Sequence, residues 1–153
     1  MGGLTGEELL RLPVRHRGIV LGTAVEVLLH PTAPRALGID VLCGDENHRF
    51  LPFAAATLGA DSFEVESPFV LVDLTPESAY RTRARALSGL RGTSVTGSGS
   101  ELRDVVLGPE WTIDELVVAD GGKTIRVPLD GNVLRRRRPA RRSSRRRSGR
   151  RPR

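Results

Sequence analysis

Short runs of alternating apolar and polar residues, separated by turn signals, constrain the fold of this chain most strongly. In GIVLGTAVEVLL at 18–29, Val25, Val27 and Leu29 alternate with Glu26. Further runs of this kind lie at 36–44, 48–53, 62–67, 69–73, 102–107 and 112–129. A period of two is typical of β-strands, and many short strands at this spacing favour a small barrel or a sandwich. We therefore predict a mainly β protein.

Two segments depart from the strand pattern and predict helices. Thr5 and Glu8 have the spacing of a capping box, which predicts a short helix through Leu12. Between Thr75 and Leu90 the apolar residues recur at steps of three and four. The apolar face of this segment comprises Tyr80, Ala84, Leu87 and Leu90. We predict one amphipathic connecting helix over this segment.

The second half of the chain repeats the pattern of the first half. ALGIDVLCGDENHRFLPF at 36–53 and TIDELVVADGGKTIRVPL at 112–129 share an apolar strand, a Gly/Asp turn and a closing proline. VEVLL at 25–29 has its counterpart in LRDVVL at 102–107. We interpret the halves as an internal duplication. Because each half is too small to bury a large core alone, we expect the halves to pack on each other or the chain to form a homodimer.

A basic tail is set apart from an acidic body. Of the 24 Lys and Arg residues, 12 are arginines after residue 134, and all 18 Asp and Glu residues lie before them. The body therefore carries 12 minus 18, or −6, and the tail carries +12. The tail arginines are Arg135, Arg136, Arg137, Arg138, Arg141, Arg142, Arg145, Arg146, Arg147, Arg150, Arg151 and Arg153. Since the tail has too little apolar surface to fold, we expect it to be disordered.

The composition of the tail predicts a polyanionic partner. Arginine binds phosphate groups bidentately, and the tail has no aromatic residue that would stack on bases. We expect charge-driven binding of RNA, DNA or ribosomes with little sequence preference. Three alternatives remain open. The tail lies on an anionic membrane surface, folds back on the acidic body as an autoinhibitory segment, or is a neutral product of a GC-rich genome.

The strands of the body resemble the PRC-barrel family. The resemblance rests on the strand VEVLL, on GIDVL and on RFLPF. It covers Arg17 to about Asp73, and more weakly Leu90 to Asn132, where SVTGSGSE replaces a clean first strand. PRC barrels are small β-barrels, found in the photosynthetic reaction centre H subunit and in a ribosome maturation factor. They are generally docking modules without a catalytic centre, so the resemblance implies a bacterial protein with an unknown protein partner.

These patterns divide the chain into four parts. We predict a first PRC-barrel-like unit with its short N-terminal helix at 1–74, a connecting helix at 75–91, a second and weaker unit at 92–134, and a disordered tail at 135–153. The predicted fold is thus two small β-barrel units joined by an amphipathic helix.

The sequence contains no pattern that predicts catalysis, a metal or a cofactor. His16, His30 and His48 lack the spacing of a metal site, and we expect them to be exposed. Glu64 and Glu66 lie on one face of a strand without a catalytic partner, which favours a solvated face. We therefore predict that the protein is not an enzyme. A buried cluster joining either glutamate to a histidine would argue against this prediction.

Several other residues favour structural interpretations. Cys43 lies in an apolar run with no cation beside it in the sequence, which predicts a buried, unreactive thiol. Trp111, the only tryptophan, is expected to fill the junction of the two units. The glycines of 92–100 lack the Lys-Ser/Thr ending of a phosphate loop and predict a hairpin loop. We expect turn or surface charges at Asp45, Glu46, Glu101 and Asp104.

The apolar runs are too short to cross a membrane. No stretch reaches the roughly 18 consecutive apolar residues that a span needs, so we expect no integral membrane segment. The start, MGGLTGEELLRLPVR, lacks the basic and apolar regions of a secretion signal. We therefore expect a cytoplasmic protein.

Overall fold

The computed structural model describes residues 3–75, 78–95 and 100–129, and the tail predicted to be disordered lies outside these ranges. The described chain is mainly β, as predicted. Its short helices, α1 to α3, are Gly6–Leu9, Ala79–Arg83 and Leu87–Leu90. Its strands, β1 to β12, are Leu4–Thr5, Pro13–His16, Ile19–Leu29, Ala36–Cys43, His48–Pro52, Ala56–Leu58, Phe63–Val65, Val72–Asp73, Arg85–Ala86, Glu101–Leu107, Ile113–Asp120 and Lys123–Pro128. None of the helices within these ranges is long and apolar enough to span a bilayer.

The described strands form two curled sheets, each a half-barrel. The smaller sheet has the order β1-β10-β11-β12 and is antiparallel. The larger sheet has the order β6-β7-β2-β3-β4-β5-β8, with β9 paired to β3. The pair β2 and β7 is parallel. The segments β3-β4-β5 and β10-β11-β12, which carry the repeated sequence pattern, are both three-stranded antiparallel meanders.

The two sheets share one apolar core. Val27, Ile39 and Leu51 of the larger sheet belong to the same buried cluster as Val105 and Leu116 of the smaller sheet. Burial of apolar surface contributes about 25 cal/mol per Å² to folding, so a shared core stabilises both sheets together. The sheets therefore pack on each other.

The prediction of one continuous helix between Thr75 and Leu90 is wrong. In the described part of this segment, α2 and α3 are separated by β9, which pairs with the end of β3. Ala84 packs on an outer cluster formed by Leu28, Phe50 and Leu74, whereas Leu87 is fully buried in the main core. Pairing of β9 with β3, and burial of Ala84 and Leu87 on opposite faces of the sheet, thus replace the single helix that the apolar pattern predicts. Tertiary packing outweighs intrinsic helix propensity here.

A β-bulge changes the alternation expected in β3. The pairing with β4 shifts register between Ala24 and Glu26. Ala24 and Val27 are both buried, whereas Val25 is partly exposed. A bulge inserts one extra residue and changes which face the following side chains occupy. Val25 therefore lies outside the core, contrary to the sequence pattern.

The predicted capping box of α1 is confirmed, but the helix is shorter than expected. The Glu8 N–H donates to Thr5 Oγ1 at 3.2 Å, and the Thr5 N–H donates to Glu8 Oε2 at 3.1 Å. The helix ends at Leu9 rather than at Leu12. Beyond it, the Ala24 N–H donates to the Leu12 carbonyl at 3.0 Å. The backbone after Leu9 thus pairs with β3 instead of continuing the helix.

Candidate functional site

The twelve tail arginines predicted to bind nucleic acid, from Arg135 to Arg153, lie outside the described residues, and their role stays a prediction. The described chain ends at Leu129, directly after β12. The Leu129 N–H donates to the Asp114 carbonyl at 3.1 Å, and the Leu129 side chain packs against the core. The point where the described chain ends is therefore anchored to the smaller sheet.

Two arginines of the body line one cavity. Arg83 ends α2 and Arg85 begins β9, and a cavity of about 400 Å³ beside them also borders Pro31 and Gly89. The Arg83 side chain is exposed, and Arg85 is half-buried. Pairing of Arg85 with Leu29 fixes the backbone of this segment against β3. Sequence analysis missed this site, although the run RTRAR at 81–85 is a signal for it.

Trp111 lies at the junction of the two sheets, as predicted, although it is half-buried rather than buried. Its ring stacks on Phe53, with centroids 3.8 Å apart and an angle of 5° between the planes. Its carbonyl accepts a hydrogen bond of 2.8 Å from the Ala36 N–H at the start of β4. One face of the indole ring is thus occupied by Phe53 and is not available to stack on a base.

Asp40 and His48 form a polar pair that sequence analysis missed. They lie on the adjacent strands β4 and β5, and His48 Nδ1 donates to Asp40 Oδ1 at 2.7 Å. Asp40 is buried, and the hydrogen bond compensates its lost hydration. Within the described ranges, no hydroxyl or thiol is hydrogen-bonded to His48. The carboxylate of Asp40 therefore orients the imidazole of His48.

The other histidines and the strand glutamates remain separate. His16 Nδ1 donates to the Val65 carbonyl at 3.1 Å, and His30 Nδ1 accepts from the Ala33 N–H at 2.8 Å. These histidines are half-buried rather than exposed, which corrects the expectation. Glu64 and Glu66 are exposed, as predicted, and Glu64 accepts a hydrogen bond from Ser62. The hydrogen bonds of the described residues join neither glutamate to a histidine.

Arg49 connects two carboxylates at the end of the β4–β5 hairpin. Its guanidinium donates to both carboxylate oxygens of Asp45 at 3.0 and 2.7 Å, and its Nε donates to Asp73 at 3.2 Å. The hydrogen bonds from Arg49, and then those from Asn47, hold the pKa of Asp45 well below its usual value. The hydrogen bond with Asp45 is the larger cause, and that with Cys43 the smaller cause, of a raised pKa for Arg49. Asp45 is a turn charge, as predicted, since its side chain is exposed.

Cys43 is buried, as predicted, but it lies near a cation that sequence analysis did not place beside it. Cys43 and Arg49 line the same cavity of about 240 Å³. Antiparallel pairing of β4 with β5 brings them together, because the turn between them reverses the chain. The residues next to Cys43 in the chain therefore did not predict that Arg49 lies near it in the structure.

The expectation that Asp104 is a surface charge is wrong. Asp104 is buried on β10, where its Oδ1 accepts hydrogen bonds from the N–H groups of Gly6 at 3.0 Å and Val105 at 2.8 Å. Its Oδ2 accepts from the Glu7 N–H at 3.0 Å. The bonds from Gly6 and Glu7 satisfy N–H groups at the start of α1 that have no partner within the helix. Glu101, in contrast, is exposed as expected.

The loop at 92–100 is flanked by hairpin pairing, as predicted. The Val95 N–H donates to the Ser100 carbonyl at 2.7 Å, and Ser94 bridges to Glu101. Residues 96–99 lie outside the described ranges. The hairpin interpretation is therefore confirmed for the flanks of the loop.

Three large apolar side chains, Ile19, Val20 and Phe69, are mostly exposed, with Phe69 exposed to 95%. We call them the exposed apolar set. Val20 precedes Leu21 and Phe69 follows Pro68, and Leu21 and Pro68 line the same cavity as Cys43. Val20 and Phe69 are thus each adjacent in the chain to a residue that lines this cavity.

In the part of the chain that the structure describes, no three His, Cys, Asp or Glu side chains converge to hold a metal ion. Comparison of the chain with protein-family models and with curated proteins gave no match.

Proposed function

We propose that this protein is a non-enzymatic docking protein, and that its arginine tail tethers it to RNA, DNA or ribosomes by charge. The observation that carries the proposal is the separation of charge, with −6 on the body and +12 on the 19-residue tail. A tail with this charge attracts any polyanion, whereas the acidic body repels it. The tail is therefore the binding element, and a cytoplasmic location, where ribosomes and nucleic acids are abundant, belongs to the proposal.

The docking half of the proposal is supported by the resemblance to PRC barrels. Both segments that carry the repeated sequence pattern form three-stranded antiparallel meanders, and this part of the proposal is built on that repeat. The exposed apolar set offers a protein partner large apolar side chains to pack against. In the proposed arrangement, the body selects the protein partner and the tail holds the complex on nucleic acid.

The test is a comparison of affinities for generic RNA and duplex DNA over a salt series. The full chain is compared with a chain that stops at Leu134, and with a full-length variant whose twelve tail arginines are glutamine. Binding that neutralises Z phosphates falls with salt at a slope of about −0.9Z on duplex DNA and about −0.7Z on single strands. We expect tight, steeply salt-dependent binding by the full chain, and a large loss of affinity in both variants.

Two results would contradict the proposed tether. If all three proteins bind alike, the tail contributes nothing. If the full chain binds vesicles containing anionic lipid but not nucleic acid, the protein is a scaffold at a membrane surface. Binding by a free tail peptide that far exceeds binding by the full chain would instead show that the tail is masked by the acidic body.

A further inference from the structure

We propose that the exposed apolar set is the contact surface of a homodimer, in which Phe69 of each copy fills a cavity of the other. The cavity is the one bordered by the apolar residues Leu21, Cys43, Pro68 and Leu71, and we call it the Cys43 cavity. This inference rests on the docking role that the proposed function gives to the set, and it identifies the partner as a second copy of the chain. The tail takes no part in it.

The hairpin of β2 and β3, which carries two members of the set, lies close to the segment that carries Phe69. His16, the last residue of β2, donates from Nδ1 to the Val65 carbonyl at 3.1 Å. Leu21 of β3 and Pro68 line the same cavity. These two contacts bring the three exposed apolar side chains to neighbouring positions on the larger sheet.

The tip of this hairpin holds its apolar side chains in place. Arg17 and Gly18 form the turn, with φ of 49° and 77°, and the pair of His16 and Ile19 closes it. A two-residue turn with positive φ at both positions matches the twist of the strands it joins. Ile19 is 65% exposed and Val20 55% exposed on this ordered backbone. A partner that covers them therefore has little backbone to order, which favours association.

The Cys43 cavity has room for the ring of a phenylalanine. Its volume is about 240 Å³, and an apolar cavity of about 150 Å³ already binds benzene. Asp45 and Arg49 also line it, but they are paired with each other at 2.7 Å and need no polar ligand. Phe69 of the same chain is 95% exposed, so its ring lies outside the cavity. A ring from another molecule is therefore the fitting occupant.

A second copy supplies both halves of this contact. Phe69 follows Pro68, which lines the Cys43 cavity, so an exposed ring and a cavity of suitable size lie side by side on one surface. In a two-fold symmetric dimer, the same patch of both subunits forms the interface, and each element meets its counterpart reciprocally. A two-fold axis beside Pro68 thus places each ring against the cavity of the other copy.

The charges beside the set also suit a second copy. Arg17 and Glu66 are exposed, and neither forms an ion pair with any residue that the structure describes. Arg17 follows His16 and Glu66 follows Val65, so the hydrogen bond between His16 and Val65 keeps them at one place. A surface with one unpaired cation and one unpaired anion is self-complementary about a two-fold axis. A polyanion or an anionic membrane would instead be repelled by Glu66.

The experiment is sedimentation velocity of the full-length chain over a concentration series. The contact surface is small, so we expect a weak dimer with a Kd on the order of 10 μM. The variant Phe69→Ala should raise this Kd at least about tenfold, because a buried aromatic anchor dominates a small interface. The control Ile125→Ala removes a side chain that is 41% exposed on β12 of the other sheet. It should change the Kd by less than about threefold.

A charge exchange tests the pairing across the two-fold axis. Arg17→Glu and Glu66→Arg should each raise the Kd at least about threefold, since like charges then face each other. The double variant Arg17→Glu/Glu66→Arg should return the Kd to within about twofold of the original value. Exchange of the exposed pair Arg103 and Glu101, as Arg103→Glu/Glu101→Arg, is the matched control and should leave the Kd unchanged. Failure of the double variant to restore the dimer would overturn the proposed pairing.

Three results would overturn the dimer surface. The first is a chain that stays monomeric at all concentrations. The second is a dimer that Phe69→Ala does not weaken and that dissociates steeply with salt, because the tail of one copy would then bind the acidic body of the other. The third is a monomeric chain whose binding to anionic vesicles is lost on Phe69→Ala, which would assign the exposed apolar set to a lipid surface.

The same proteins separate this inference from the proposed tether. If the unmodified chain binds RNA through its tail but stays monomeric, the dimer surface is wrong and the tether stands. If the chain forms a dimer that Phe69→Ala weakens but does not bind RNA or DNA, the dimer surface stands and the tether fails.

Discussion

Asp104 accepts a hydrogen bond of 3.0 Å from the Gly6 N–H, although 98 residues separate the two in the chain. The same carboxylate accepts from the Glu7 N–H, so one side chain of β10 holds the start of α1. We predict that Asp104→Ala lowers the free energy of unfolding by about 1.5–3 kcal/mol, because buried N–H groups lose a charged acceptor. Urea unfolding followed by circular dichroism measures this loss.

The control for Asp104 is Asp120→Asn, at an exposed position on the neighbouring strand. This variant should change stability by less than about 0.5 kcal/mol. Asp104→Asn should lie between the two, since an amide offers one acceptor oxygen where the carboxylate offers two. Equal stability of the Asp104→Ala and Asp120→Asn variants would show that the long-range cap contributes nothing.

Trp111 and Phe53 should contribute to stability through their stacked rings. We predict that Trp111→Ala lowers the free energy of unfolding by about 2–4 kcal/mol, less than for a fully buried tryptophan. Trp111→Phe keeps a stacked ring and should cost about 1 kcal/mol. Residue 111 has a φ of 61°, so Trp111→Gly relieves a strain of about 1–2 kcal/mol and should be no less stable than Trp111→Ala. A clearly less stable glycine variant would contradict the left-handed backbone.

Asp45 should make stability depend on pH in the acid range. Its pKa in the folded protein is lowered by the hydrogen bonds from Arg49, and then by those from Asn47. A lowered pKa means that the stabilisation is present above the usual value of 3.8 and is lost as pH falls below it. We predict that Asp45→Asn is slightly less stable than the unmodified protein at pH 7, and that the difference shrinks towards pH 3. Thermal unfolding from pH 3 to pH 7 tests this, with Asp120→Asn as control. A difference that is constant over this range would refute the prediction.

Phe63 and Phe69 provide a matched pair of phenylalanines in opposite environments. Phe63 is fully buried, whereas Phe69 is 95% exposed. We predict that Phe63→Ala lowers the free energy of unfolding by about 3–5 kcal/mol and that Phe69→Ala changes it by less than about 0.5 kcal/mol. Denaturant unfolding of both variants compares the two losses directly. A large loss for Phe69→Ala would mean that Phe69 packs against the body rather than being available to a partner.

Much of the β architecture was predictable because strand formation leaves a local signal. The run at 18–29 became β3, and the repeated pattern at 112–129 became the hairpin of β11 and β12. The capping box of Thr5 and Glu8 was also predictable, since both partners lie within one turn. The bulge at Val25 was not, because it depends on the register with β4 rather than on the strand's own sequence.

The candidate sites also differ in how far each could be predicted from the sequence. The tail arginines are recognisable from composition alone, because their predicted binding requires charge and no particular fold. The cavity lined by Arg83 and Arg85 was not predicted, because the sequence of its segment has a helical pattern. The cavity depends on the pairing of β9 with β3. The pair of Asp40 and His48 likewise depends on two strands coming together.

By itself, the sequence determined the mainly β fold, the repeated strand pattern and the division of charge between body and tail. Each of these depends on residues that are close in the chain or on composition. Tertiary structure alone decided that Asp104 caps α1, that Ala84 and Leu87 pack on opposite faces of the sheet, and that Arg49 lies beside Cys43. The physical reason is that these contacts join residues whose approach is governed by the burial of the shared core, which no local pattern encodes.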